Sequence, residues 1–343
     1  MADTNSESAG ARVAIGLNAV LAVVVDDRPM VLCAQGGEGL WSLPYGLFDP
    51  TRHRTFEIGL RDWVERQTKV SLGYVEQLYT FGDKGREAPA AALAGGAAGD
   101  RIISVGYLAL APEPAAVLAK DAQWRDWYEF FPWEDWRSGE PDALVAHIVP
   151  GLKAWIGRAP DAATAAARRG RARLAFGYGG VGWEEERALD RYELMYEAGL
   201  VVEAWRDRRA AGLPRPGGGE PGPREAGAPM ASDHRRILAT AIGRLRGKLK
   251  YRPIIFEMTP ATFTLFDLQH TVEAIVGFHL HKQNFRRSVE QSGLVTRTRR
   301  LAHKTGGRPA ALFQANRSAL KDRAARGLAI PRMRRCPSVA LGS

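Results

Sequence analysis

The sequence predicts an α+β protein in which a layered α/β/α domain is followed by a C-terminal winged helix-turn-helix domain. Three observations lead to this prediction. In the first half of the chain, apolar strand-like segments alternate with one central amphipathic helix. Residues 213–231 are rich in Pro and Gly and offer almost nothing to bury, as is typical of a linker. After them, two short helical patterns joined by a tight turn precede a strand–loop–strand pattern.

A chain of 343 residues is long enough for two domains with separate cores. No run of about twenty apolar residues suggests a membrane span. The first ten residues are polar and acidic, unlike a signal peptide, and the two cysteines, Cys33 and Cys336, are too few for a disulfide framework. We therefore expect a cytoplasmic protein. The predicted parts are a first domain at residues 11–160, a helical connecting region at 161–212, the linker at 213–231, the winged helix at 232–320 and a basic tail at 321–343.

Positive charge is concentrated towards the C-terminal end of the chain. Residues 231–343 hold 22 Lys and Arg against 6 Asp and Glu, a net charge of +16, and the remainder holds 26 basic and 32 acidic residues, a net charge of −6. Such asymmetry concerns partners rather than fold. It indicates a nucleic-acid-binding module joined to an acidic one, or a basic tail that only increases solubility. Charge alone leaves both interpretations open.

The first domain is predicted to begin with a hairpin and continue with a helix and further strands. The β-branched segment Val13–Val25, a turn at residues 26–29 and the segment 30–34 are typical of a hairpin. Residues 55–69 place apolar side chains at helical spacing. The remaining predictions are strands at 74–81 and 102–110, a surface loop at 88–99, a helix at 144–156 kinked near Pro150, and a charged helical stretch at 184–209 broken at Gly199.

The helix at residues 55–69 carries a pattern that resembles the Nudix hydrolases. Their motif is Gx5Ex7REUxEExGU, with U apolar, and its carboxylates hold Mg²⁺ on a pyrophosphate because a hard cation needs oxygen ligands. Here Arg61 matches the Arg, Asp62 replaces the next Glu, and Glu65 matches the first of the paired Glu. The second of that pair is Arg66. The motif's upstream Glu, first Gly and late Gly fall on His53, Leu47 (one residue after Gly46) and Thr68.

Arg66 would repel a metal ion at a position where the motif needs a ligand. We therefore predict no catalytic residues, no metal site and no enzyme activity. A pocket for a nucleotide-like ligand is predicted to remain, with Arg61 and Glu65 as its contacts. The alternatives are an active hydrolase of ADP-ribose or a dinucleotide attached to a DNA-binding domain, and a purely structural domain. The GxGxxG pattern at residues 177–182 is interpreted as a flexible turn, because the three Glu that follow it would repel a pyrophosphate.

The C-terminal domain is predicted to open with a helix at residues 232–250, whose apolar stripe excludes six basic residues. A capping box from Thr264 to Asp267 then begins a second helix that Gly277 ends. After a turn at 278–281, a third helix runs from about Lys282 to Gln291, and strands at 294–298 and 310–314 form a wing. The six basic residues are Arg235, Arg236, Arg244, Arg246, Lys248 and Lys250.

The third helix carries the side chains that read base edges in DNA complexes. In a helix-turn-helix the second helix of the pair enters the major groove, where Asn or Gln pairs with adenine and Arg with guanine. The wing residues Lys304 and Arg308 are placed for phosphate or minor-groove contacts. A protein-interaction winged helix with a solvated basic face is the alternative, and an RNA-binding module lacks the paired aromatic residues that stack bases. The predicted reading residues are Lys282, Gln283, Asn284, Arg286 and Arg287.

Several motifs in this region resemble the winged helix of the Nudix-related transcriptional regulators, the NrtR-like family. The chain length and residues 177–209 resemble the NadQ-type branch of alphaproteobacteria. The family commonly has Asp where this chain has His281, a weaker helix cap, which leaves the start of the third helix open. The matching motifs are Phe263-Thr264-Leu265, Asp267-Leu268-Gln269, Glu273-Ala274-Ile275, Gly277, Asn284-Phe285-Arg286-Arg287 and Gly306-Gly307-Arg308-Pro309-Ala310.

The resemblance implies a homodimeric repressor that binds double-stranded operator DNA in front of genes for NAD synthesis and salvage. A catalytically inactive Nudix-like domain would bind an effector nucleotide such as NAD, ATP or ADP-ribose, and no cofactor is implied. Because other members of the wider family regulate sugar use, the link to NAD rests on the branch alone.

Overall fold

The computed structural model describes residues 12–35, 39–69, 72–86, 101–114, 121–302, 309–321 and 327–328. The loop predicted at 88–99, the wing residues Lys304 and Arg308, and nearly all of the predicted basic tail lie outside these residues. The strands are β1 (Val13–Val25), β2 (Arg28–Gln35), β3 (Trp41–Ser42), β4 (Tyr45–Leu47), β5 (Tyr74–Phe81), β6 (Arg101–Leu110), β7 (Ala122–Asp126), β8 (Val295–Ala302) and β9 (Ala310–Ala315).

The helices are distributed over both halves of the chain. In order they are α1 (Phe56–Thr68), α2 (Trp127–Phe130), α3 (Val149–Gly157), α4 (Ala162–Phe176), α5 (Ala188–Ala198), α6 (Val202–Ala210), α7 (Pro223–Ala226), α8 (His234–Leu249), α9 (Leu265–Val276), α10 (Lys282–Gln291) and α11 (Arg317–Lys321). In the part of the chain that the structure describes, no helix is both long and apolar enough to cross a membrane.

A mixed seven-stranded sheet forms the centre of the first domain. Its main order is β3-β2-β1-β6-β5, with β4 paired to β1 and β7 paired to β2. The long strand β1 runs parallel to β6 from the pair Val13 and Arg101 to the pair Ala22 and Leu110, and antiparallel to β2. The predicted hairpin is confirmed, and Asp26 and Asp27 form its two-residue turn with φ angles of 48° and 60°.

Helix α1 covers one face of this sheet, as its apolar spacing predicts. Thr55 caps it by accepting a hydrogen bond from the N–H of Ile58 at 3.2 Å, and Lys69 ends it in the left-handed conformation. Leu60 and Val64 are fully buried in a cluster with β1 and β6 side chains. The predicted helix at residues 55–69 is therefore confirmed, because its two caps and its buried face all lie within the segment itself.

Helix α8 covers the opposite face, where the structure departs from the predicted domain division. Ile237 and Leu238 are fully buried in one cluster with Val20 and Ala22 of β1. The close approach depends on Gly106 of β6, since a Cβ atom there would lie 3.0 Å from the side chain of Ile237. The helix predicted to open the winged helix therefore serves as the third layer of the α/β/α sandwich and packs against α5 as well.

The segments predicted as a connecting region and a linker also pack closely against the first domain. The break at Gly199 is confirmed, since this residue ends α5 with a φ of 75° and α6 follows. The predicted helix at 144–156 has one wide π-helical turn at residues 144–148 before α3, next to Pro150. In the predicted linker, Met230 is fully buried and its backbone forms a bridge with Trp41 of β3. The second half of that linker is thus part of the packed structure.

The winged helix follows the sequence prediction closely. Thr264 accepts a hydrogen bond from the N–H of Asp267 at 3.1 Å, and the Asp267 carboxylate accepts one from the N–H of Thr264 at 2.9 Å, which completes the predicted capping box at the start of α9. Gly277 ends α9 with a φ of 81°. Strands β8 and β9 pair antiparallel as the wing. The α+β fold class, with a Nudix-like domain and a C-terminal winged helix, is confirmed.

Candidate nucleic-acid interface and nucleotide-binding helix

Helix α10 presents the five predicted reading residues to solvent. It begins at Lys282, as predicted, although His281 makes no side-chain cap. Phe285 and Val289 are its buried residues, and they anchor one side of the helix in the domain core. Because residues four apart lie on the same side of a helix, these two anchors turn the remaining side chains outward. The exposed residues include Lys282, Gln283, Asn284, Arg286 and Arg287.

The cations of this helix face solvent. Among the residues that the structure describes, Lys282, Arg286 and Arg287 form no ion pair. An exposed guanidinium that is not held by a carboxylate keeps its donors available for phosphate oxygens or for the acceptors of guanine. The chemistry and the geometry of α10 therefore fit insertion into the major groove.

Strand β8 carries a second set of exposed cations in the winged helix. Arg297, Arg299 and Arg300 are exposed along it, and none of them forms an ion pair within the described part of the chain. The sequence prediction placed the wing contacts at Lys304 and Arg308, which lie outside the described residues. These basic residues of β8 belong to the basic stretch visible in the sequence. They add to the exposed positive charge of the winged helix.

The six basic residues that were predicted to lie off the apolar stripe of α8 do not belong to this exposed basic surface. Arg235 and Arg246 are fully buried, because α8 is enclosed on several sides. The other four form ion pairs with acidic residues of the N-terminal part or of α8's own first turn. These pairs are Arg236 with Asp83, Glu193 and Asp233, Arg244 with Glu76, Lys248 with Glu76, and Lys250 with Glu185 and Glu186.

Most of the C-terminal cations that the structure describes fall into two groups. The first group, on α8, forms ion pairs with carboxylates of the acidic first domain and its neighbours. The second group lies on α10 and β8, where it faces solvent. Of these two groups, the second is the one available to an external polyanion, and it belongs to the winged helix.

Helix α1 keeps the shape of the Nudix motif but not its carboxylate cluster. The Asp62 carboxylate lies 2.9 Å from Nε2 of His53 and also accepts from the guanidinium of Arg66. Partial burial works to raise the pKa of Asp62, but the hydrogen bond from His53 and the charge of Arg66 outweigh it and lower that pKa. Within the described ranges, no group of three or more His, Cys, Asp or Glu is placed to hold a metal ion.

The two predicted ligand contacts on α1 occupy different environments. Arg61 is held by Glu57 at 2.8 Å and donates to the carbonyl oxygens of Leu72 and Gly73, so it fastens the end of the following loop. Glu65 is exposed on the same helix. Their role as effector contacts remains a prediction, and the bonds of Arg61 show that it also has a structural function.

Gly46, one residue before the first Gly position of the Nudix motif, is required by close packing. A Cβ atom at Gly46 would lie 2.0 Å from the indole of Trp63, whose Nε1 donates to the carbonyl of Leu47 at 2.6 Å. The other glycine-rich pattern, at residues 177–182, forms a turn after α4 as expected. A Cβ atom at Gly177 would lie 2.4 Å from the backbone of Gly182, so the turn closes tightly on itself.

These observations define a Nudix-like domain joined to a winged helix with an exposed basic recognition helix. The family profile described as the NrtR DNA-binding winged helix domain matches residues 255–315. A curated relative, the ADPR responsive transcriptional repressor NtrR of Acinetobacter baylyi, is 39% identical over 93 residues. That match covers 27% of this chain and 36% of the relative, so the chain spans about a third of the curated relative that it matches.

Two solved structures share the fold over nearly the whole chain. NrtR of Shewanella oneidensis in complex with a 27mer DNA is 21% identical, with a TM-score of 0.52, and the match covers 92% of this chain and 97% of that one. NrtR of the same organism alone is 22% identical, with a TM-score of 0.51, and the match covers 92% and 99%. The family profile and the curated relative confirm the resemblance to NrtR-like regulators that the sequence motifs predicted, and the solved structures show the same fold. The assignment to the NadQ-type branch remains a prediction.

Proposed function

We propose that this protein is a DNA-binding transcriptional repressor of genes for NAD biosynthesis and salvage. The observation that carries the proposal is α10, on which two amides and three cations are exposed together while Phe285 and Val289 seat the helix. In the same C-terminal third of the chain, the cations of α8 form ion pairs within the protein. The positive charge of α10 is therefore available to DNA, as a recognition helix requires.

The operator is double-stranded DNA read by a homodimer. Two-fold dimers of helix-turn-helix proteins place their recognition helices about one helical turn apart, ~34 Å, and so match pseudo-palindromic sites. Affinity should fall steeply with salt, because each phosphate contact releases condensed counterions. The protein acts in the cytoplasm, where such operators are found.

The effector is a nucleotide bound by the Nudix-like domain, and ADP-ribose is the first candidate. The Acinetobacter baylyi relative is an ADPR responsive transcriptional repressor. The domain is not an enzyme in this proposal, because Arg66 stands at a ligand position of the motif and the Asp62 carboxylate is paired with His53 and Arg66. An effector can change operator affinity only if it binds the DNA-competent and incompetent states with different affinity.

Fluorescence anisotropy with labelled promoter fragments tests the DNA part of the proposal. We expect tight binding to fragments from NAD biosynthesis genes and much weaker binding to a scrambled duplex of the same length. Titrations with ADP-ribose, NAD and ATP then identify the effector, which should shift the operator Kd by roughly 5- to 150-fold. Equal affinity for the cognate and scrambled duplexes would refute the proposal.

An activity assay separates the regulator from the hydrolase alternative. The protein is incubated with Mg²⁺ and ADP-ribose, and AMP is measured against a protein-free control. We expect no AMP above that control. Turnover of ADP-ribose by a protein that ignores promoter fragments would favour the hydrolase instead.

A further inference from the structure

The C-terminal turn of α9 is held by donors from outside the winged helix. The last carbonyls of a helix have no partner within it and need donors from elsewhere. Here the Tyr128 hydroxyl donates to the carbonyl of Ala274 at 2.8 Å, and Nε of Arg246 donates to that of Ile275 at 2.8 Å. The backbone N–H of Trp136 donates to the carbonyl of Gly277 at 2.7 Å. Two of these donors come from the first domain and the third comes from α8.

One of these donors, Arg246, is itself fixed by a buried cluster of charges, which we call the Glu134 triad: Glu134, Arg191 and Arg246. All three side chains are fully buried. The Glu134 carboxylate accepts from Arg191 at 2.6 and 2.8 Å and from Arg246 at 2.5 Å. A planar guanidinium held on both sides in this way has one orientation available. The bond from Arg246 to α9 is therefore directed by residues of the first domain and of α5.

Gly277 allows this junction to be as close as it is. A Cβ atom there would lie 2.3 Å from the carbonyl oxygen of Glu134 and 2.9 Å from the hydroxyl of Tyr128. At the outer edge, His270 of α9 lies 2.8 Å from the Asp27 carboxylate in the β1–β2 turn. The junction thus extends from a buried centre to the protein surface.

We propose that Tyr128 and the Glu134 triad are positioning residues that fix α9, and with it the recognition helix, to the Nudix-like domain of the same chain. This inference rests on the proposed function and concerns how that function is regulated. Coupling between two sites needs a packed element whose arrangement both sites influence. The junction is a packed element of this kind between the two domains, so we expect the effector to influence DNA affinity through α8 and α9.

Tyr128→Phe tests the junction with the smallest change, since it removes the hydroxyl and keeps the ring. Tyr178→Phe is the matched control, because Tyr178 is equally buried and its hydroxyl has no hydrogen-bond partner among the described residues. The measurements are the Kd for ADP-ribose and the operator Kd with and without saturating ADP-ribose. We expect Tyr128→Phe to bind ADP-ribose with a Kd within about twofold of the wild-type value. The ratio of its operator Kd values with and without ADP-ribose should be closer to one than the wild-type ratio, by a factor of roughly three or more. The control should keep the wild-type change.

A second variant keeps the test sharp if Tyr128→Phe does not fold. His270→Ala removes the bond at the edge of the junction together with a ring contact to Phe266 on the same helix, and we expect it to reduce the effector response as well, by less than Tyr128→Phe. Hydrogen exchange gives a readout that needs no DNA: the amides that follow residue 274 should exchange faster in Tyr128→Phe than in Tyr178→Phe. An effector response in both variants equal to that of the wild type would overturn the proposal, and so would unchanged exchange in Tyr128→Phe.

The two proposals fail in different ways. A wild type that binds no promoter fragment contradicts the proposed function, and the exchange measurement then still tests the junction. A wild type that responds to ADP-ribose, with variants that respond equally, contradicts the junction alone.

Discussion

The guanidinium of Arg246 donates to the carboxylate of Glu134 across 2.5 Å, and both side chains are fully buried. Arg191 binds the same carboxylate from the other side at 2.6 Å. Burial alone would raise the pKa of Glu134, but the charges of the two arginines outweigh it and hold that pKa below its ordinary value. The carboxylate therefore stays ionised, and it joins the first domain to α5 and α8 at one point.

Glu134→Gln should strongly destabilise the protein. The variant leaves two buried guanidinium groups without a counter-charge, and breaking a buried pair in this way typically costs about 3–5 kcal/mol. Urea denaturation of Glu134→Gln and of the wild type measures this difference in the free energy of unfolding. Glu197→Gln is the control, because its ion pair with Arg171 is about half exposed and should contribute less than ~1 kcal/mol. Similar losses in both variants would contradict the structural importance of the triad.

Arg287→Ala should weaken operator binding by about 1–3 kcal/mol and relax the sequence preference at one position of the site. The reason is that Arg287 is exposed on α10 and forms no ion pair with any residue that the structure describes, so its donors are available to a base edge. Arg286→Ala should have an effect of similar size. Anisotropy titrations against the cognate and scrambled duplexes give both quantities. A variant that loses affinity equally for the two duplexes would show that the residue contacts phosphate only.

Arg244→Gln should leave operator affinity within about twofold of the wild type, although Arg244 lies in the basic C-terminal third. Its guanidinium is paired with Glu76 at 3.2 Å on the surface of the first domain. Arg297→Gln on β8, in contrast, should lower the slope of log K against log salt concentration by about 0.9, the amount expected for one lost phosphate contact. Titrations over a series of salt concentrations separate the two variants. If Arg244→Gln lowered the salt dependence of log K as much as Arg297→Gln does, this would contradict the inference that the cations of α8 are paired internally while those of β8 are available to DNA.

His234→Asn should alter how stability depends on pH. His234 is buried and accepts a hydrogen bond from the N–H of Leu43 at Nδ1, at 2.8 Å, which the Asn oxygen can also accept. Burial is the main reason that the pKa of His234 falls to about 3 from its ordinary 6.5. The unfolded chain binds a proton below pH 6.5 that the folded one does not, so this residue removes about 1.4 kcal/mol of stability per pH unit as the pH falls.

The neighbouring Asp233 has the opposite effect. Burial raises its pKa from 3.8 to about 6, so its contribution to stability is present below pH 3.8 and is lost as the pH rises through 6. In the wild type the two effects should largely offset each other between about pH 4 and 6. His234→Asn should therefore gain stability over the wild type by about 1.4 kcal/mol per unit as the pH falls through this range. Urea denaturation at pH 6, 5 and 4 measures this difference, and a constant difference would contradict the neutral buried imidazole.

Local signals explain the elements that the sequence predicted well. The capping box of Thr264 and Asp267 and the glycine stop at Gly277 act within a few residues, so the bounds of α9 could be predicted without knowing its neighbours. The same holds for α10, whose anchors Phe285 and Val289 recur at helical spacing. The exposed residues of the recognition helix followed from that spacing. The effector contacts Arg61 and Glu65 and the wing contacts Lys304 and Arg308 remain predictions.

The sequence by itself determined the two kinds of domain, the helix-turn-helix and the side chains that it exposes, because each depends on spacing within one short segment. Only the tertiary structure decided that α8 belongs to the sandwich of the first domain and that its cations are paired there. The carboxylate that holds Arg246 lies 112 residues earlier in the chain. A free cation and a paired one look identical in sequence, since the difference depends on a counter-charge that folding brings from far away.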